Sequence, residues 1–309
     1  MNTGILQRFY QREDVPLSSG PGRARRQARM LTAALAETTG RALIVDIGCG
    51  DGAATAEAIR ANPGHHVVGL DWSADGLKQA RGQGLTVVRA SVEPPGLPVG
   101  AGVADVVIMS EVIEHLVDTD SALDEALRVL KPGGSLLLST PNLAAWYNRG
   151  LLAVGVQPVF SEVSLRGVYG RPGSQVAGHL RIFTRRALVG LLAGRGFGDI
   201  AVAGACYHDV PRPLRPLDRV MTAWPDAASI LLVRARKPGT QDVRVRPNVR
   251  VLRPPVMRSR VLRIYHRCNR FYRCRQLAGN MSSGSDPRLP SGGTGDSYRN
   301  ERAEACCFP

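Results

Sequence analysis

No apolar run in this sequence reaches the roughly 18 to 20 residues that a helix needs to cross a bilayer. Residues 1–14 are polar and charged and lack the apolar core of a secretory signal. With neither a transmembrane segment nor a leader legible, a cytoplasmic protein is the expectation. Cysteine pairs at metal spacing are also missing. No CxxC occurs, and four of the six cysteines (Cys268, Cys274, Cys306, Cys307) sit together near the C-terminus, which excludes a zinc ribbon or finger. Aromatic residues are scarce at 5%, as in α/β proteins whose cores are built from Ala, Val and Leu. Lysine occurs only at 78, 131 and 237, so nearly all of the positive charge is Arg. No internal repeat stands out.

What is present begins with a net charge of +14, unevenly spread over 309 residues. Residues 239–309 hold 14 Arg against five acidic residues and so account for +9, leaving only +5 for the first 238. Proteins that read nucleic acid place basic, aromatic-interleaved patches on the folded body. This body has none, so nucleic acid is not the expected partner. The stretch 243–275 is Arg-dense and reads as a solvated appendage. Residues 281–301 are rich in Ser, Gly and Pro and offer no core, so the tail 238–309 is expected to be disordered.

From about residue 23 to 237 short apolar runs alternate with helical patterns. Helices are predicted over 23–37, 53–61, 121–130 and 184–196, with a further one opened by Ser73 as N-cap. Strands are predicted over 42–47, 66–71, 85–90, 104–110 and 134–140, and again over 199–205 and 228–236. "KPGG" (131–134) reads as the stop between the helix 121–130 and the strand 134–140. Alternation of this kind calls for a parallel sheet covered by helices on both faces, with ligands at the carboxyl ends of the strands.

The stretch "IVDIGCGDGA" (44–53) lies at such a strand end. Glycines there let the backbone turn with positive φ or touch a ligand. A strand, a glycine turn, a helix and an acidic residue some twenty positions on fit two kinds of nucleotide site. One is the dinucleotide fold, with Gly48, Gly50 and Ala53 in G-x-G-x-x-G/A and Asp71 on a ribose. Two features lead away from it: Asp46 inside the strand end, and Gly52, which makes the turn G-x-G-x-G.

"VDIGCGDG", "GLDWS" (69–73), "ADVVIMSEVIEHL" (104–116) and "LKPGGSLLLSTPN" (130–142) together resemble the ordered motifs of the class I S-adenosylmethionine-dependent methyltransferases. The likeness covers roughly residues 40–237. It implies an α/β fold with a doubly wound, mostly parallel seven-stranded sheet of the Rossmann-like methyltransferase type. It divides the chain into an N-terminal segment and cap helix (1–40), a methyltransferase domain (41–237) and the tail. It also implies that S-adenosylmethionine is the cofactor. Gly48 and Gly50 would let backbone amides approach its methionine part, flanked by Cys49, and Asp46 would meet its amino end. Asp71 would accept both ribose hydroxyls, and Ser110 would close the site at the fourth strand. Trp72 would lie against the adenine or serve as a core residue. Family members often carry an Asp after the third strand; here the place holds Ser91, so backbone groups of Ser91 and Val92 are expected to serve the adenine instead.

Methyl transfer from a sulfonium is an in-line displacement, so catalysis is alignment plus removal of the acceptor's proton. Glu111, Glu114 and His115 have the spacing i, i+3, i+4 and are expected on one helical face at the fourth strand end. Alternatively, Glu111 caps the turn, Glu114 is solvated and His115 makes a buried hydrogen bond. The long, Gly- and Pro-marked stretch 143–182 is expected to form a lid over the acceptor, and it delivers His179. The pattern E-x-x-E-H with a later His resembles the ubiquinone-biosynthesis-like O-methyltransferases and the small-RNA 3′-terminal 2′-O-methyltransferases. It implies a divalent metal (Mg, Mn or Zn) on Glu111, Glu114, His115 and His179. Without a metal, His115 or His179 would act as general base near its ordinary pKa, with Glu111 beside it. The expected reaction is O-methylation of a small-molecule or lipid-linked acceptor. The alternatives are an RNA 2′-O-methyltransferase, a cofactor-binding module without catalysis that docks a partner through the lid, and a nicotinamide oxidoreductase.

Overall fold

The structure, a computed structural model, describes residues 21–92, 96–239 and 249–251. Expectations for the first twenty residues lie outside the described residues, as do those for the tail apart from 238–239 and 249–251. Elements follow the order α1 (Pro21–Leu35), β1 (Leu43–Ile47), α2 (Ala53–Arg60), β2 (His66–Asp71), α3 (Ala74–Gly82), β3 (Thr86–Arg89) and β4 (Ala104–Ser110). A 3₁₀ turn (Ile113–His115) leads to α4 (Thr119–Val129), β5 (Leu130–Pro141), α5 (Trp146–Ala153), α6 (Arg185–Gly194) and β6 (Gly198–Ala205). A second 3₁₀ turn (Arg212–Leu214), α7 (Arg215–Met221), β7 (Ile230–Arg236) and β8 (Val249–Val251) complete the series.

The strands form one sheet in the order β3-β2-β1-β4-β5-β7-β6-β8. Seven strands match the expected sheet, and all neighbours are parallel except where β7 runs antiparallel between β5 and β6. The eighth strand pairs Val249–Val251 in parallel with β6. Side chains alternate along the strands, as a two-residue period dictates. Val45 and Ile47 of β1 face the helices α4 and α6, packing with Val107, Met109, Leu123 and Leu192. Ile44 faces the other way and packs with Val106, Ile108 and Leu31 of α1. Both faces are covered, which is why the central strands read as continuous apolar runs.

"KPGG" is not a stop outside the sheet. It lies within β5, where Ala104 pairs with Leu130 and Val106 already pairs with Ser135, so the extra residues are absorbed as an irregularity. Caps agree with the helix starts: the Ser73 side chain accepts from Gly76 N at 3.1 Å, and Asp118 from Ser121 N at 2.9 Å. The direction in which successive strands are added to the sheet reverses between the parallel β1 and β4, leaving a crevice at their carboxyl ends. Gly52, with φ 74°, turns the chain from that crevice into α2. A Cβ there would meet Ala80 Cβ at 2.8 Å and Leu85 Cδ1 at 2.7 Å. Gly52→Ala is therefore expected to destabilise the fold by about 1–3 kcal/mol, read as a lower melting temperature.

Candidate active site

At the end of β1 the amides of Gly48 and Cys49 both donate to the Leu70 carbonyl, at 2.7 and 3.1 Å, which binds the glycine turn to β2. Gly48 has φ 73°, and a Cβ there would collide with Val112. The Asp71 carboxylate then joins two loops. Its Oδ2 accepts from Gly50 N at 2.8 Å and its Oδ1 from Ser73 N at 2.7 Å. The Trp72 backbone N–H adds to these contacts, and a carboxylate with about four accepting sites still has room for a ligand. Burial pushes the Asp71 pKa up, against these backbone hydrogen bonds.

Asp46 is fully enclosed and accepts a hydrogen bond from the Thr55 hydroxyl. Burial raises its pKa to about 7, with the Thr55 bond opposing and the Asp71 charge adding. A cationic ligand group beside Asp46 would return it to the ionised form. Burial, with the Asp46 and Asp71 charges adding, also pushes the Cys49 thiol up, which disfavours its thiolate. The Trp72 ring lines the cavity instead of the core, with the Arg89 guanidinium 4.9 Å from its centroid.

The acceptor side departs from expectation. Glu111 adopts φ 56°, a left-handed turn that ends β4, and only Ile113–His115 are helical, in a single 3₁₀ turn. Glu111, Glu114 and His115 therefore do not share a helical face. Glu111 accepts from the Ser139 hydroxyl at 2.7 Å. Glu114 is wholly buried, not solvated, and accepts from the Thr140 hydroxyl at 2.9 Å. The fold brings His179 to this point, its ring 4.8 Å from that of His115.

Both imidazoles are held in the same manner. His115 Nδ1 meets the Gly178 carbonyl and His179 Nδ1 the Phe160 carbonyl, each at 3.1 Å. A carbonyl only accepts, so each Nδ1 carries the proton and each Nε2 of the neutral ring carries the lone pair. Ligand atoms of Glu114, His115 and His179 all lie within 4.8 Å of one another. Among the described residues this is the one such cluster, and Glu111 is not part of it, which corrects the expected four-residue set. His115 does not titrate near its ordinary value. Burial drives its pKa down to about 4, with His179 adding and the Gly178 carbonyl, Glu111 and Glu162 opposing.

These groups line one cavity of about 1160 Å³. Its lining brings Asp46, Gly48, Cys49, Gly50, Asp71, Trp72, Ser91 and Val92 from the β1, β2 and β3 ends together with Glu114, His115 and His179, and Ser110 and Glu111 also stand on its wall. Residues 143–182, which include the unforeseen helix α5, supply Trp146, Phe160, Glu162 and Arg171 to the wall. Tyr207 packs edge-on against Phe160, with centroids 4.8 Å apart. The buried Asp218 carboxylate accepts from Trp146 Nε1 and from Tyr207 N, both at 3.1 Å, and so sets two of these rings. Glu162 and Asp218 stand in stretches without periodicity or motif, and nothing in the sequence marks them.

The model of a methyltransferase-domain family, Methyltransf_23, matches residues 22–202, more than half of the chain. A ubiquinone biosynthesis O-methyltransferase from Caulobacter vibrioides is 36% identical over 130 residues, covering 40% of this chain and 48% of that protein. A trans-aconitate 2-methyltransferase from Azoarcus sp. (strain BH72) is 37% identical over 100 residues, 32% of this chain and 39% of the relative. The match thus spans about half the length of these curated relatives, or less. Among solved structures, a SAM-dependent methyltransferase from Archaeoglobus fulgidus aligns with TM-score 0.48 and 17% identity, over 69% of this chain and 94% of that one.

Proposed function

Since the chain belongs to the class I S-adenosylmethionine-dependent methyltransferases, we propose that it moves the cofactor's methyl group to an oxygen of a small-molecule or lipid-linked acceptor. One observation carries this reading: a single cavity has a carboxylate-and-glycine end and a carboxylate–imidazole end. The relatives named for O-methylation favour oxygen as the accepting atom.

Asp71 takes the ribose hydroxyls on the lone pairs its backbone contacts leave open. Asp46 meets the cofactor's ammonium, and Gly48, Cys49 and Gly50 bring backbone against the methionine part. Trp72, Ser91 and Val92 bound the adenine, and Ser110 closes the floor. Residues 143–182 act as a lid whose rings exclude water from the transfer. In the transfer the sulfur–methyl bond breaks as the oxygen–methyl bond forms. Where no ion occupies the cluster, the hydroxyl proton leaves toward an imidazole Nε2 of the His115–His179 pair, beside the Glu114 carboxylate.

Glu114, His115 and His179 also fit a divalent ion, since both imidazoles bond a backbone carbonyl through Nδ1 and a buried carboxylate stands within 4.8 Å of their ligand atoms. Such an ion, when bound, supplies Lewis acidity that lowers the pKa of the acceptor hydroxyl. Two nitrogen donors suit Zn or Mn better than Mg. Incubation with methyl-labelled S-adenosylmethionine and fractionated cell extract tests the reading. Label is expected in an O-methylated small molecule, and label confined to RNA contradicts it.

Asp46 gives the binding a pH dependence. Its raised pKa means that folded, cofactor-free protein holds a proton that the unfolded chain releases, so this group lowers stability as pH rises from about 4 to about 7. An ammonium beside Asp46 reverses that loss. The melting-temperature gain from saturating S-adenosylmethionine is thus expected to widen from about pH 6 to about pH 8. A gain that shrinks over this range contradicts the pairing.

A further inference from the structure

We propose that Glu162 is the positioning residue for the His115–His179 pair: its buried carboxylate fixes the backbone of residues 177–179, from which both imidazoles take their orientation. The proposal rests on the reading of that pair as the acceptor-side centre.

Glu162 accepts four hydrogen bonds. Its Oε1 takes Ala177 N at 2.7 Å and Arg171 Nη2 at 2.8 Å, and its Oε2 takes Gly178 N at 2.7 Å and His179 N at 3.0 Å. A carboxylate offers about four lone-pair sites, so this one is saturated and does not act on the acceptor directly. Three consecutive amides are thereby gathered around one anionic group, and the turn they form passes through Gly178 at φ 86°.

The outputs of this turn are the two rings. Its Gly178 carbonyl receives His115 Nδ1, and its next residue is His179. The His179 ring is held from the other side by the carbonyl of Phe160, two residues before Glu162. Phe160 stands at φ 73°, a left-handed conformation disfavoured for a residue with a side chain. Just beyond the turn, Leu180 N and Arg181 N donate to the Glu114 backbone carbonyl at 2.8 and 3.0 Å. Segment 177–181 is therefore stitched to Glu162 on one side and to the residue next to His115 on the other. Arg171, itself buried, offsets the Glu162 charge and reaches the Gln175 carbonyl at 2.7 Å. That ion pair makes a buried carboxylate tolerable here.

Glu162→Gln keeps the shape but leaves one accepting oxygen for four donors. We expect cofactor affinity within about twofold of wild type and kcat lower by about 10- to 100-fold, the usual cost of removing a group that orients working side chains. A readout independent of turnover is the tautomer of each imidazole, seen in two-bond ¹H–¹⁵N spectra. In the wild type His115 and His179 are expected as Nδ1–H. His65 is the internal reference of opposite kind, because its Nδ1 accepts from Ala42 N at 3.1 Å and its proton must sit on Nε2. In Glu162→Gln the His115 and His179 signals are expected to leave the Nδ1–H position while His65 stays. General destabilisation would not produce that selectivity. Unchanged tautomers and unchanged kcat in Glu162→Gln overturn the proposal, as does a wild type lacking the Nδ1–H forms. If Glu162→Gln does not fold, Glu162→Asp, with two oxygens on a shorter stem, is expected to show the same shifts, and their absence is equally decisive. Should no acceptor be methylated by the wild type while the tautomers shift as described, the functional reading fails and the role of Glu162 stands.

Discussion

Replacing Asp71 by Ala is expected to weaken S-adenosylmethionine binding by about 1.5–3 kcal/mol, or roughly ten- to a hundredfold in Kd. The side chain has two tasks. Its oxygens hold Gly50 N and Ser73 N, which shapes the glycine turn, and the residue lines the cavity. Loss of a ligand contact and loosening of the turn act in the same direction. Asp71→Asn separates them in part, because one oxygen still accepts from an amide while the charge is gone. Calorimetric titration is the check, and a wild-type Kd in Asp71→Ala contradicts the ribose assignment.

The second large effect concerns the other end of the cavity. Treatment with a strong chelator is expected to remove nearly all turnover while leaving cofactor affinity unchanged, and added Mn²⁺ or Zn²⁺ is expected to restore it. His115→Ala should lower kcat by about a hundredfold or more with the same preserved affinity. The burial that drives the His115 pKa to about 4 makes its neutral ring a ready ligand at pH 7 and a weak general base. Full turnover in excess chelator, with loss in His115→Ala, shows that the imidazoles take the proton without an ion.

The glycine-turn end of the cavity was legible because its parts are local. Asp46, the glycine turn and Asp71 fall within one strand–turn–helix–strand unit, and the hydrogen-bonded pair Gly50 and Asp71 shows how near in space that unit brings them. The strands were legible for a similar reason: burial on both faces leaves continuous apolar runs. Spacing misled at "SEVIEHL", since i, i+3, i+4 fits a helix but the chain spends Glu111 on a left-handed turn before a single 3₁₀ turn. Helix α5 and helix α7 escaped notice because they are short and mix Gly, Pro and Arg with their apolar residues. Glu162 and Asp218 act through backbone amides and ring N–H groups brought to them by the fold, so only the folded chain reveals what they hold.

In the proposed arrangement one cavity seats the donor against Asp71 and aims its sulfur at the imidazole cluster. A crystal structure with the demethylated product, S-adenosylhomocysteine, tests it most directly. Ribose hydroxyls are expected on Asp71, the amino end at Asp46 and the sulfur facing His115 and His179. Product bound outside this cavity, or seated in it with the sulfur turned away from the two histidines, would contradict it.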